Sequence, residues 1–358
     1  MRDTELLLSF AIPTYNFAAY IEQTICSIFE GARVLQERQI EIVVVDGAST
    51  DNTEELMTRL MNRFPSIKYT KQVQRGGIDF DLNHAVSLAQ APFVWMFSAD
   101  DVLQVGWDTA IAPLLERATV DVMLIPAMVC TLEMQPMRRN RIFSFPANEQ
   151  HDVFDFSKPH TRSHYLDSAV TLEALFSYMS SVLVKRSTWL ELPSSEAYFG
   201  SCWAHCARLM PLVSNQDSKA QIVYLNSFLI QKRTGNDSFM EHGLIRRIAI
   251  TVDGWSQLIH DFYGDSGDAH KLNQLMARDA SVLVFAYAKL GCKSAHETQT
   301  LVKLAQKAYG KRDLAWSYRM RYLFIRCLPA MPRVLYAIRG IVPQVIFWKH
   351  RLLGLLQR

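Results

Sequence analysis

The run Phe93-Val94-Trp95-Met96-Phe97 leads directly into Ser98-Ala99-Asp100-Asp101, so a stretch of large apolar side chains ends in two adjacent carboxylates. An unbroken apolar run suits a strand buried on both faces, and α/β sheets bind ligands beyond the carboxyl ends of their strands. Two carboxylates at such an edge suit a hard divalent cation, Mg²⁺ or Mn²⁺, which takes oxygen ligands from one or two acids and from substrate phosphates. A cation held there stabilises charge developing on a phosphate leaving group.

Elements of the same kind lie upstream. Residues 6–12 form an apolar run stopped by Pro13-Thr14-Tyr15-Asn16, and residues 41–45 form a β-branched run ending in Asp46-Gly47. The spacing predicts a helix over residues 19–30 and another beginning near Glu54, capped from within Ser49-Thr50-Asp51. Strand, polar turn and helix in alternation predict a parallel βαβ sheet with its site along one rim. There, Asp46 can accept a hydrogen bond from a nucleobase N–H or a ribose hydroxyl, with Thr14, Tyr15 and Asn16 beside it. Gly76 and Gly77, followed by Asp79 and Asn83, fit a turn that admits a ligand close to the backbone. Arg233, after an apolar strand expected over residues 222–229, is a candidate partner for a diphosphate. On spacing alone, a generic Rossmann-like domain whose Asp side chains only cap turns stays open.

Taken in order, Ala11-Ile12-Pro13-Thr14-Tyr15-Asn16, then Val44-Val45-Asp46-Gly47-Ala48-Ser49-Thr50-Asp51, then Gly76-Gly77-Ile78-Asp79-Phe80-Asp81-Leu82-Asn83, then Ser98-Ala99-Asp100-Asp101 resemble the signature of family 2 glycosyltransferases with the GT-A fold. The resemblance spans residues 5–240 and is densest up to Asp101. The Gly-Gly-Ile-Asp form of the third motif and the Arg-Thr-Gly-Asn-Asp-Ser run at 233–238 resemble bacterial enzymes that build O-antigen or other surface polysaccharide, the abequosyltransferase-like branch included. The resemblance implies an α/β fold with a mixed, mostly parallel sheet flanked by helices. It implies a nucleotide-sugar donor, Mg²⁺ or Mn²⁺, and inverting transfer to a hydroxyl of a lipid-linked glycan or polysaccharide acceptor. Implied donor contacts fall on Pro13, Thr14, Tyr15, Asn16, Asp46, Gly47, Ser49, Gly77, Asp79, Asn83, Ser98, Ala99, Asp100 and Arg233, and implied metal ligands on Asp100 and Asp101.

Two departures from the pattern bear on mechanism. The metal motif of the family is commonly Asp-any-Asp, and Ser98 stands where its first carboxylate would be; a hydroxyl there can still bond a metal-bound water. The acidic pair expected in the acceptor half is missing from Phe199-Gly200-Ser201-Cys202-Trp203-Ala204-His205-Cys206-Ala207-Arg208. His205, expected one helical turn from Ser201, is the first candidate for general base, since an ordinary imidazole titrates near ~6.5. Glu196 is the second, and a purely internal, hydrogen-bonded His205 is the alternative. Cys202, His205 and Cys206 lack a second cluster at zinc spacing and do not read as a zinc site. A non-catalytic nucleotide- or sugar-binding relative is the alternative function. A dinucleotide-dependent enzyme is disfavoured because no Gly-x-Gly-x-x-Gly follows the first strand.

Composition sets the frame. In 358 residues, 49% hydrophobic and 20% charged content supports one large core or two modest ones and argues against disorder. Six scattered cysteines fit free thiols in a reducing compartment. The amino terminus runs into the first strand with no basic leader, so a cytoplasmic location, at the inner face of the membrane, is expected. Residues 1–240 are expected to form the transferase domain, with a nucleotide half (1–110) and an acceptor half (111–240) whose stretch 134–164 is loop-like. Residues 241–358 are expected to be helical, with spaced apolar residues over 244–262, 269–290 and 295–309. Between 310 and 358, ten Lys or Arg face a single acid, Asp313, a net +9 in a chain whose total is +3. Aromatic and aliphatic residues interleaved with that charge suit an interfacial helix on an anionic membrane rather than a nucleic-acid tail. The most apolar stretch, 334–348, contains Arg339 and Pro343 and is shorter than the ~20 residues a span needs.

Overall fold

The computed structural model describes residues 5–116, 119–144, 151–311 and 314–330. The apolar runs become strands because side chains buried on both faces have no need to alternate. β1 (Leu8–Thr14), β2 (Ile40–Asp46), β3 (Ile67–Lys71) and β4 (Phe93–Met96) pair in parallel in the order β3-β2-β1-β4, and β1, β2 and β4 are buried at every residue. One polar residue interrupts β1. Ser9 donates to Glu41 Oε2 at 2.6 Å and accepts from the Ala91 amide at 3.0 Å, while Glu41 also accepts from the Gln90 amide, so a buried hydroxyl and carboxylate join β1, β2 and the entry to β4.

Beyond β4 the sheet changes direction. With β5 (Val102–Leu103), β6 (Val122–Leu124), β7 (Ala127–Cys130), β8 (Pro136–Asn140), β9 (His151–Asp155), β10 (Val182–Lys185), β11 (Gln221–Leu225) and β12 (Ile230–Lys232), the chain completes two sheets. The larger runs β3-β2-β1-β4-β10-β6-β11-β9, with β10 antiparallel to both β4 and β6; the smaller runs β5-β12-β7-β8. The helices are α1 (Ala18–Gly31), α2 (Thr53–Arg63), α3 (Ile78–Leu88), α4 (Asp108–Glu116), α5 (Thr161–Ser168), α6 (Arg186–Glu191), α7 (Ala204–Leu209), α8 (Pro211–Ser214), α9 (Leu244–Tyr263), α10 (Gly267–Asp279), α11 (Val282–Leu290), α12 (Ala295–Tyr309) and α13 (Trp316–Cys327).

Two compact units result. In the first, the described residues up to Tyr165 and Glu173–Gly235, the core centres on Phe10, stacked on Trp95 at 5.2 Å and edge-on to Phe97 and Trp107. Both indoles are satisfied: Trp95 Nε1 donates to the Ser180 carbonyl and Trp107 Nε1 to the Ile28 carbonyl. In the second, Leu166–Leu172 with the described residues from Asn236 onward, helices α9 to α13 share a core that includes Val252, Phe285, Leu301, Tyr309 and Ile325.

Three expectations are corrected. Residues 222–229 are not one strand: β11 ends at Leu225 and β12 starts at Ile230 in the other sheet, with Asn226 and Ser227 between them. Residues 269–290 are two helices, broken where the Ala280 backbone turns extended. The weakly patterned 134–164 stretch carries β8, β9 and the start of α5; short, half-exposed strands show little periodicity. Of the basic 310–358 segment, residues 312–313 and 331–358 lie outside the described residues.

Candidate active site

The loop after β4 is fixed from four directions. Asp101 is 2% exposed, and its Oδ2 accepts from Ser180 Oγ at 2.7 Å and from the Tyr178 hydroxyl, while its Oδ1 accepts from the Arg233 amide at 3.1 Å. Ser180 Oγ also accepts from the Ser98 amide, and the Thr24 hydroxyl of α1 is shared between the Asp101 carbonyl at 2.8 Å and the Ala99 carbonyl at 3.0 Å. Burial and the neighbouring Asp100 push the Asp101 carboxyl up to about 7, against the pull of the Ser180 and Tyr178 hydroxyls. With both oxygens engaged inside the protein, Asp101 braces this loop. Asp100, half-buried and accepting from Ser98 Oγ, sits on the more open side. Among the described residues, no group of three or more His, Cys, Asp or Glu is gathered to hold an ion. The residues present therefore fit a cation bound by one carboxylate, with the remaining ligands drawn from substrate phosphate and water.

Arg233 is bonded to the same loop. The residue is 7% exposed, and its guanidinium donates to the Asp100 carbonyl at 3.0 Å, to Gln23 Oε1 at 2.5 Å and to the Leu132 carbonyl, and lies over the Tyr20 ring. Those three bonds tie Arg233 to the Asp100 loop, to the turn after β7 and to α1.

On the donor side, the turns after β1 and β2 are laced together. Asn16 (φ 56) donates its amide to Ser49 Oγ, and its side-chain oxygen accepts from the Thr50 amide at 2.8 Å. Asp51 accepts from the Ala18 amide at the start of α1 and from Thr53 at the start of α2. Ala48 holds φ 67, a left-handed conformation that costs a non-glycine residue energy and that is kept by the surrounding bonds. Asp46, fully buried, accepts from the Ser49 amide at 2.7 Å and from Tyr69 Oη at 2.6 Å. Pro13 is buried in β1, and the half-buried Tyr15 ring carries the Arg75 guanidinium 4.0 Å above its centroid.

Helix α3 begins after Gly77 (φ 87), and Asn83 is half-buried on it one turn beyond Asp79. Asp79 reaches across to the acceptor half: its carboxylate accepts from the amides of Gly200 (2.9 Å), Cys202 (2.8 Å) and Ala204 (3.0 Å). It thus caps α7 and holds the loop before it, where Cys202 has φ 71. Ser201 lies in that loop and not on the helix, its Oγ accepting from the Trp203 amide.

Asp81, a residue the motif reading passed over, is 3% exposed, and its Oδ1, like Thr14 Oγ1, has no hydrogen-bond partner among the described residues. Its Oδ2 lies 2.5 Å from where a Cβ on Gly47 would be, so only glycine admits the carboxylate there. Burial first, then Asp46, raise the Asp81 carboxyl to about 6, with Arg75 opposing.

His205 is buried on α7 and its Nε2 donates to the Phe176 carbonyl at 3.1 Å. A carbonyl can only accept, so the neutral ring carries its proton on Nε2 and its lone pair on Nδ1. Burial lowers its pKa, with Asp79 pulling the other way. Phe176 holds φ 70, an uncommon conformation for a bulky side chain, and the segment it begins also supplies Tyr178 and Ser180 to Asp101. Glu196 lies exposed in a short 3₁₀ turn (Glu196–Tyr198) on the same side of the chain as Arg208, whose charge feels it.

Residues 9–175 match the glycosyl transferase family 2 profile. Along 333 residues the chain is 27% identical to abequosyltransferase RfbV of Salmonella typhimurium (strain LT2), an alignment covering 86% of this chain and 96% of that protein. A shorter match, 32% identical over 98 residues, is to chondroitin synthase of Pasteurella multocida and covers 27% of this chain and 10% of that one. Among solved structures, TarS 1-349 of S. aureus in complex with UDP is similar with TM-score 0.57 and 17% identity, covering 94% of this chain and 91% of that chain. The mannosyltransferase PcManGT of Pyrobaculum calidifontis, in complex with GDP-Man and Mn²⁺, is similar with TM-score 0.51 and 17% identity, covering 90% and 86%. Residues 9–175 thus match a family 2 glycosyl transferase domain, and the chain is a glycosyltransferase of GT-A-like fold.

The bridge from Asp79 to the 200–204 loop yields a test. Asp79→Ala removes the acceptor of three amides, each charge-assisted bond contributing about 1.5–3 kcal/mol, so the expected result is a lowered unfolding midpoint and loss of most turnover, with hydrogen exchange rising at residues 200–204. Unaltered exchange in that loop would refute the bridging role.

Proposed function

We propose that the protein is an inverting transferase that moves a sugar from a nucleotide-sugar donor to a hydroxyl of a lipid-linked or polysaccharide acceptor in bacterial surface-polysaccharide synthesis, O-antigen included. The observation that carries the reading is the joining of the Asp100 loop, the laced turns of β1 and β2, and the His205 segment within one compact unit, which we take as the catalytic domain. The abequosyltransferase relative, aligned over most of both chains, supports the acceptor class.

In this reading the nucleotide lies along the carboxyl ends of β1 and β2, against Tyr15 and the backbone at Gly47 and Gly77. Asp100 would hold Mg²⁺ or Mn²⁺ together with oxygens of the donor diphosphate, and that ion supplies neutralisation of the leaving group. Ser98 orients Asp100 through its hydroxyl. Nδ1 of His205 takes the proton of the attacking hydroxyl, because Nε2 is committed to Phe176 and burial keeps the ring neutral. Asp100→Asn is expected to remove most transfer activity and to make nucleoside-diphosphate binding indifferent to Mn²⁺; metal-dependent binding that survives in the variant rules Asp100 out.

His205→Ala is expected to lower kcat by about a hundredfold or more, the usual range for a lost general base, with Glu196→Gln near wild type. The pH profile carries the sign. A lowered folded-state pKa means the base form persists on acidification, so the acid limb of kcat falls below the ~6.5 of an ordinary imidazole. The stability held by the neutral ring is likewise lost only as pH drops through that region. An inactive Glu196→Gln beside an active His205→Ala transfers the role to Glu196.

The second unit supports membrane association. On α13, Trp316, Met320, Leu323 and Phe324 are all exposed, Trp316 by 71%, at spacings that place them along one side, with Arg319 and Arg326 exposed beside them. No helix among the described residues is long and apolar enough to cross a membrane. An apolar stripe edged by guanidinium groups fits the interface of an anionic bilayer. The double variant Trp316→Ser/Phe324→Ser, which leaves buried Ile325 in place, is expected to cut co-sedimentation with phosphatidylserine vesicles, as is deletion of residues 331–358. Folded variants that sediment like wild type would disprove the docking role.

A further inference from the structure

Each oxygen of Asp46 already accepts one hydrogen bond, from the Ser49 amide and from the Tyr69 hydroxyl. Immediately across Gly47, the Asp81 carboxylate is in the opposite condition: buried, beside another carboxylate, with Oδ1 unpartnered. Thr14 Oγ1, from the residue whose carbonyl accepts the Gly47 amide, is unpartnered as well. A buried carboxylate without donors costs several kcal/mol or shifts its titration to stay neutral. Natural folds leave few such groups, and one left at the carboxyl edge of two parallel strands calls for a ligand. The charges felt there are Asp46 and Arg75, and the Arg75 guanidinium carbon lies 4.0 Å from the Tyr15 ring centroid, so Arg75 relates the aromatic side chain after β1 to the vacant acceptor of α3.

We propose that Asp81, with Thr14 Oγ1, is the specificity-determining residue for the donor's nucleobase, its carboxyl accepting an N–H of a planar heterocycle seated against Tyr15. The assignment rests on the nucleotide-sugar reading above. It selects bases with a ring or exocyclic N–H at the edge facing α3, and the glycine at 47 is required because any Cβ there would occupy the place of the carboxylate. Asp46 then acts as the positioning residue of the turn, holding Ser49 and Tyr69.

The test uses the full chain and calorimetric titration with UDP, CDP, GDP, ADP and ribose 5-phosphate, on wild type, Asp81→Asn and Asp81→Ala. Losing a hydrogen bond to a charged acceptor is expected to weaken the preferred nucleotide by about ten- to a hundredfold, to flatten the ranking among the four bases, and to leave ribose 5-phosphate unchanged. Because the substitution also removes an uncompensated buried charge, unliganded Asp81→Asn should melt higher than wild type, which a merely structural carboxylate would not do. Wild-type ranking and affinity in both variants overturn the proposal. Equal weakening of all nucleotides and of ribose 5-phosphate overturns it in favour of a ribose contact, and a lowered melting temperature with general loss of binding overturns it in favour of a fold role. A wild-type protein that binds none of the four nucleotides removes the donor reading itself, and this assignment with it.

Discussion

A carboxylate shut away from water must find its donors within the protein, and the position of the whole candidate site follows from how Asp101 does so. Its donors come from two distant parts of the chain: Tyr178 and Ser180 ahead of β10, and the Arg233 amide after β12. Ser180 then takes the Ser98 amide, and Arg233 takes the Asp100 carbonyl. Removing one donor would leave a buried charge under-satisfied at a cost of about 1–3 kcal/mol, so these segments are held in one arrangement. The inward turn of Asp101 gives its neighbour Asp100 a rigid base on the open side of the loop.

The same device recurs on the donor side. Asp51 serves the beginnings of α1 and α2, Asp79 the start of α7 and the loop before it, and Asp108 accepts from the successive amides of Arg33, Val34 and Leu35. Parallel strands end in turns that leave backbone amides without ladder partners, and a short acidic side chain can take several of them at once. Most acids near the rim are consumed in this way. Asp81 Oδ1 is left without a partner among the described residues, and in the reading proposed above Asp100 turns toward phosphate and Asp81 toward a heterocycle.

That division explains what the sequence made legible. The strands were readable because β1, β2 and β4 are buried on both faces and show it as unbroken apolar runs, and the turns because Asn, Gly and Asp announce backbone that leaves the sheet. Which acid points where was not readable, since each is decided by a donor far along the chain: Tyr69 for Asp46, Ser180 for Asp101, Ala204 for Asp79. The internal partners of Arg233 were likewise unreadable, since the carbonyls of Asp100 and Leu132 and the amide oxygen of Gln23 all lie far from it along the chain. Asp81 escaped notice because its singularity is the absence of a partner, which no local pattern encodes. The break between β11 and β12 is marked only by the polar pair Asn226-Ser227, with apolar residues resuming at Phe228, although the two strands enter different sheets.

Ser98, the departure from the usual metal motif, is intelligible in the same terms. Burial, with the like charge of Asp100 added to it, already raises the Asp101 carboxyl to about 7. A third carboxylate at position 98 would add like charge to a loop that has little solvent to screen it, and would need donors of its own. A hydroxyl instead donates to Asp100, fixing its orientation without that repulsion. The loop then presents one well-held carboxylate rather than a cage, and a cation bound there depends on the donor's phosphate oxygens for its remaining ligands. Donor and metal are thereby expected to bind as a unit, each completing the site that the other requires.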